Sequence, residues 1–148
     1  MQWKPNVTVA AIAERDGHFL VVEENSNGHI VINQPAGHLE KNETLIEAVR
    51  RETLEETAWQ FNPEYIVGLY MHTNPHEDIT YLRVCFSGTC ETHFPENTLD
   101  NGILRALWMT REELEANQER MRSKMVLRCI NDYISGRRYP LDMLNHYL

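Results

Sequence analysis

Apolar and polar positions alternate along this chain in two rhythms, and the change between them predicts its elements. Val7 to Ala13 is a continuous apolar run rich in β-branched residues, the pattern of a buried strand. Asp16-Gly17 supplies a turn and His18 to Val22 a returning strand. Glu23 to Gly28 is polar and closes on Asn27-Gly28, a tight-turn signal, ahead of a short strand from His29 to Ile32. Asn33 to Gly37 reads as a loop in which Pro35 fixes direction and Gly37 lets backbone approach a ligand. From Thr44 the rhythm becomes helical. Thr44 to Thr57 holds neither Gly nor Pro and is rich in Leu, Ala, Glu and Arg, with Thr44 as N-cap and Glu47 completing a capping box. Leu45, Ala48 and Val49 mark an inward stripe that continues through Glu52, Glu55 and Glu56 to Trp59.

Downstream, Ile66 to His72 and Thr80 to Ser87 read as two strands joined across Thr73 to Asp78. Leu82, Val84 and Phe86 alternate with Tyr81, Arg83 and Cys85, which predicts one fully buried face with Arg83 on the other. Arg83 there reads as an ion pair or surface arginine, with a phosphate clamp as the alternative. His72 and His76 read as turn or core histidines. Glu91 to Gly102 is polar and predicts a mobile loop near the site. Ile103 to Met109 is predicted as the final strand, and Thr110 with Glu113 as a second capping box. A helix follows from Met121 to Ile134, with Met125, Ile130 and Ile134 inward, ended by Ser135-Gly136. Pro140 to Tyr147 is predicted as a short closing helix. Helices on both sides of a mixed set of strands imply an α/β protein of α/β/α sandwich form, one domain over residues 1–148, with C-terminal helices from about residue 121.

Charge narrows the partners. The 148 residues carry 22 acidic and 14 basic side chains, a net charge of −8, without a Lys/Arg run. A long nucleic acid is therefore an unfavourable partner, whereas a small phosphate ester bridged by metal ions is compatible. The opening MQWKPNVTVA lacks a signal-peptide pattern, and no run approaches the roughly 20 apolar residues of a membrane span, so the cytoplasm is the expected compartment. Cys85, Cys90 and Cys129 lack metal-ligand spacing and read as reduced thiols in or near the core.

The helix from Thr44 carries the chemistry. Glu52, Glu55 and Glu56 are spaced i, i+3 and i+4, so three carboxylates converge where an amphipathic helix would place Leu or Val. Such like charges are tolerable beside a buried face only if protons or cations neutralise them. An all-oxygen patch without His or Cys suits Mg²⁺, with Mn²⁺ possible. Arg51, four residues after Glu47 and four before Glu55, is placed to orient these carboxylates. Spacing alone leaves a solvated charged face as the alternative.

The longer pattern resolves that choice. Gly37, five residues, Glu43, seven residues, Arg51-Glu52, two residues and Glu55-Glu56 resembles the signature of the Nudix hydrolases. Thr53 stands where that family usually has an aliphatic residue and Ala58 where it has Gly. Thr53 is expected to bond the carbonyl one turn back, and Ala58 either enters the left-handed conformation at a cost of about 1 kcal/mol or lets the helix run on. NQPAGHLE and SGRRYPLDM further resemble one bacterial group within the family, the NudJ-type phosphatases, which act on nucleoside di- and triphosphates and on the pyrophosphate of the thiamine pyrimidine precursor, hydroxymethylpyrimidine.

The resemblance implies a Nudix α/β/α sandwich with a catalytic loop-helix and Mg-dependent cleavage of a phosphoanhydride. Gly37 (by its carbonyl), Glu52, Glu55 and Glu56 are the expected metal ligands. Glu52 is base or ligand, Glu55 chiefly a ligand, and Glu43 and Arg51 supports. Asp100 or Glu96 is expected to add a carboxylate from the later loop. Asn33 and Gln34 either bond substrate or satisfy the loop, and Trp3, Tyr70 and Tyr81 are selectivity candidates. Another Nudix substrate (an oxidised nucleotide, a dinucleoside polyphosphate, a capped RNA) and a non-catalytic nucleotide sensor are the alternatives. Monomer and homodimer are both compatible.

Overall fold

The computed structural model describes residues 2–147. Eight strands form one sheet: β1 (Asn6–Arg15), β2 (His18–Ser26), β3 (His29–Asn33), β4 (Ala36–His38), β5 (Trp59–Asn74), β6 (Ile79–His93), β7 (Ile103–Thr110) and β8 (Tyr139–Pro140). The main path runs β3-β2-β1-β6-β5-β8, with β4 on β1 and β7 on β2. β1 and β6 are parallel and the other pairs antiparallel, so the sheet is mixed. The helices are α1 (Leu45–Thr57), α2 (Arg111–Ala116) and α3 (Met125–Ile134).

The central strands are buried on both faces, which is why their sequences are apolar without interruption. Ala10 and Ile12 of β1 and Cys85 of β6 join a core with Leu114 of α2 and Val126, Cys129 and Ile130 of α3. Val9, Ala11 and Ala13 of β1, with Val84 and Phe86 of β6, join Ala48 and Val49 of α1 in a second core. Helices thus cover both faces, and the α/β/α sandwich stands. All three cysteines are buried and free.

Several boundaries move for physical reasons. β2 runs four residues beyond Val22, through polar Glu23 to Ser26, because β3 and β7 pair with it from either side. Glu23 is taken by Arg105 and Arg120, each at 2.5 Å, and Glu24 by Arg122 at 2.8 Å, so the charges are matched. β5 begins at Trp59 rather than Ile66. Pro63 lies at an irregularity in the pairing, where a missing N–H is tolerated. Part of the loop expected at Asn33 to Gly37 is strand β4. β7 is not the last strand, since Tyr139–Pro140 pairs with Tyr65 and Ile66. α3 starts at Met125, because Met121 bridges to Ile32 instead. Ile134 is half exposed rather than inward. The expected closing helix reduces to a 3₁₀ turn at Leu141–Met143.

Candidate active site

α1 forms as its sequence dictates. The Thr44 hydroxyl accepts from the Glu47 N–H at 3.1 Å and the Glu47 carboxylate accepts from the Thr44 N–H at 2.9 Å. The fully buried stripe is Ala48, Val49, Thr53 and Thr57. Thr53 and Thr57 fit there because each hydroxyl donates one turn back, to the Val49 and Thr53 carbonyls at 2.7 and 2.6 Å. The glutamates flank this stripe rather than continue it. α1 stops at Ala58, which adopts the left-handed conformation at φ 62° and returns its N–H to the Leu54 carbonyl. The helix does not run on to Trp59.

Beside α1 runs β4, held to β1 through Thr8–His38, Val9–Gly37 and Ala10–Ala36. A Cβ on Gly37 would lie 2.0 Å from the Glu52 carboxyl carbon, so only glycine lets this strand press against that carboxylate. The Ala36 N–H donates to Glu56 at 3.0 Å. The loop before β7 is tied in by the Asp100 N–H, which donates to the Glu55 carbonyl at 2.9 Å. As a result one carboxylate oxygen each from Glu52, Glu55 and Asp100 lies within 4.8 Å of the others.

Arg51 organises the cluster. It donates to Glu43 at 2.6 and 3.1 Å, to Glu52 at 2.8 Å, to Glu55 at 3.2 Å and to the His38 carbonyl at 3.0 Å. Glu47, expected as its partner, is occupied by the helix cap, and Glu43 takes its place. The Arg51 bond holds Glu43 below the usual carboxylate range. Burial raises Glu52, Glu55 and Glu56 above it, and Glu56, the most deeply placed, reaches about 8. These side chains are thus short of positive charge even with Arg51 beside them. A hard divalent cation fits that all-oxygen donor set.

Glu52 and Glu56 open onto a cleft of about 790 Å³, whose lining also includes Glu24, Asn33, Gly37, His72, Asn74, His76, Tyr81, Arg83 and Arg122, while Glu55 and Asp100 lie outside that lining. The His72 and Tyr81 rings stack at 5.3 Å. Burial first, and the Arg83 charge second, push His72 below its ordinary value. A smaller cavity of about 580 Å³ by Gln118, Lys124 and Leu127 is lined by none of the clustered carboxylates.

Several expectations change. Gln34 is buried, with its amide nitrogen 3.6 Å from the Cys85 sulfur, and is not among the residues lining the cleft. Tyr70 faces the core and donates to Asp132 at 2.8 Å. Arg83 is neither on the surface nor in an ion pair among the described residues: it is 6% exposed. His76 lies in a turn as expected and His72 on β5, and both also line the cleft. Asn33 does line the cleft, donating to Glu24 at 3.3 Å. Trp3 is exposed and absent from the lining, as is Glu96 from the carboxylate cluster. Glu24, His38, Asn74 and Arg122 were not legible as site residues. They come from separate segments, and no local pattern links them.

Comparison with known proteins agrees with this fold. Residues 3–128 match the family model of the NUDIX domain. Phosphatase NudJ of Escherichia coli strain K12 is 39% identical over 145 residues, covering 98% of this chain and 94% of that protein. A solved NUDIX hydrolase from Nitrosomonas europaea superposes with a TM-score of 0.96 at 49% identity, over 97% of this chain and 98% of that one. A MutT protein from Methanosarcina mazei Go1 gives 0.73 at 20% identity, over 93% and 100%, a likeness of fold alone.

Proposed function

Since the chain belongs to the Nudix family and is a Nudix hydrolase, we propose that it cleaves a phosphoanhydride bond in nucleoside di- or triphosphates, or in a small organic diphosphate such as hydroxymethylpyrimidine pyrophosphate, with Mg²⁺ at the carboxylate cluster. The observation that carries this reading is the convergence of Glu52, Glu55 and Asp100, a cluster that meets a cleft large enough for such a molecule through Glu52, with the deeply placed Glu56 lining the same cleft.

Glu52, Glu55, Glu56 and the Gly37 carbonyl would hold the ion, with Asp100 as a further ligand. When bound, it neutralises phosphate oxygens and makes water more acidic. Glu52 takes a proton from the attacking water as the new P–O bond forms and the bridging P–O bond breaks. Arg51 fixes its orientation. Glu43 acts only through Arg51, which it clamps with two bonds. Asn33, on the cleft wall, is placed to bond substrate. No helix of the described residues is long and apolar enough to cross a membrane. The cytoplasm is the compartment this reading assigns, consistent with three reduced thiols.

The test is a panel of nucleotides and organic diphosphates, scored by kcat/KM and by whether orthophosphate or pyrophosphate is released, with Mg²⁺ and after chelation. Glu52→Gln and Glu56→Gln should each lower turnover by about a hundredfold or more while the protein stays folded. Undiminished turnover after chelation, or in Glu56→Gln, would remove these carboxylates from the chemistry.

A further inference from the structure

Arg83 has no purpose in the fold that the structure can account for. It sits near the middle of β6, with Thr8 of β1 on one side and Tyr70 of β5 on the other. Its side chain is more than nine-tenths buried yet lines the cleft. Its Nε and Nη2 have no hydrogen-bond partner among the described residues. An arginine cannot escape such a position by shedding its proton, and a buried cation left unpaired is costly. The chain has 22 acidic side chains, but none forms an ion pair with Arg83 among the described residues, and those of the same cleft have other partners, Glu40 facing Arg51 and Glu77 accepting from Tyr81. Glu24 receives Arg122, Glu52 receives Arg51 and Glu56 receives the Ala36 N–H. Asp132 receives Tyr70 and Arg128. Tyr70, the neighbour in register, has thus already given its hydroxyl proton away from Arg83.

We propose that Arg83 is the phosphate anchor of the cleft: a turn of its guanidinium brings Nε and Nη2, screened from solvent in the unliganded chain, side by side onto two oxygens of the substrate's phosphate. The ligand, and not another segment of the chain, supplies the missing anion. The planar fork of a guanidinium matches two oxygens of one phosphate, which an ammonium cannot do. The position also suits selectivity of place. Tyr81, two residues earlier in β6 and stacked on His72, lines the same cleft as Arg83, Gly37 and Glu52. An anion on Arg83 is thereby fixed in the same cleft as the carboxylate cluster. Thr8 pairs with His38 as well as with Arg83, so β1 sets the anchor in register with the strand that carries Gly37.

This inference rests on the reading of the cleft as a phosphoanhydride site, and its test is independent of which substrate is cleaved. Inorganic phosphate is titrated into the Mg²⁺-loaded full-length protein, and binding is followed by calorimetry and by the NMR resonance of the Arg83 Nε–H. The expected result is a shift of that resonance on binding. In Arg83→Met, phosphate affinity should fall about tenfold or more, and KM for any cleaved diphosphate should rise. In the absence of phosphate the same variant should melt no lower than the parent, because an unpaired buried charge has been replaced by an apolar chain. A structural arginine would show the reverse. An Nε–H resonance that ignores phosphate, or Arg83→Met binding phosphate as tightly as the parent, overturns the anchor. The wild-type resonance gives the answer even if that variant fails to fold. A protein that cleaves none of the panel yet shows the shift loses the proposed reaction and keeps the anchor; the opposite pair of results loses the anchor alone.

Discussion

Glu56 is the residue at which folding and chemistry conflict most openly. Burial drives its carboxyl up from 4.5 to about 8, against the help of the Ala36 N–H. The folded protein therefore holds this proton where the unfolded chain has released it. That contribution is complete below the unfolded value of 4.5 and is lost as pH rises to about 8. Glu52 and Glu55 shift in the same direction, whereas Glu43, bonded to Arg51, shifts in the other. Without metal, the melting temperature should fall across that window, and Glu56→Gln should flatten the decline. Divalent ions should restore stability at the alkaline end by taking the place of the proton. Equal slopes in the parent and Glu56→Gln, measured by thermal melts in chelator, would show that Glu56 does not carry the effect. The three glutamates and Arg51 were recognisable from spacing, because a helix fixes the relation of neighbours three and four apart. The choice of Glu43 over Glu47 as partner of Arg51 was not, since both lie within reach and the cap claims only one.

At the scale of elements, α1 shows how closely local sequence was obeyed. Its cap, its hydroxyl back-bonds and its end all follow from residues Thr44 to Ala58. Ala58 is the one costly choice. Its left-handed backbone at φ 62° is a conformation glycine enters freely, while its methyl group is buried. The two effects oppose, strain relief of about 1–2 kcal/mol against about 0.8 kcal/mol for a buried methyl. Ala58→Gly should therefore raise stability by up to about 1 kcal/mol in a denaturant titration; a loss would mean that the methyl packing dominates. Strand ends were less legible than the helix. β2 continued through charged residues only because arginines from β7, the 3₁₀ turn Gln118–Arg120 and the segment before α3 came to meet Glu23 and Glu24. β5 began early only because irregular pairing accommodated Pro63. In both cases the deciding partner is distant in sequence.

For the molecule as a whole, the central feature is a sheet buried from both sides. Cys85 and Cys129 lie in the core under α3, and Cys90 in the core under α1. Burial pushes the Cys90 thiol up to about 12. None of the three should react with a thiol reagent in the native state at neutral pH, and all three should react in denaturant. Native reactivity at any one would show that its layer opens more readily than the packing allows. The sequence by itself determined α1, the central strands and the approach of Glu52 to Glu55 on one helix, because each depends on residues close together in the chain. Tertiary structure decided what those carboxylates face. Only the pairing of β4 with β1 and β6 with β1 brings Gly37 against Glu52 and leaves Arg83 buried without a partner. No local rule states which distant strand will lie alongside, and an arginine in an apolar run reads as a surface residue until both faces of its strand are found covered.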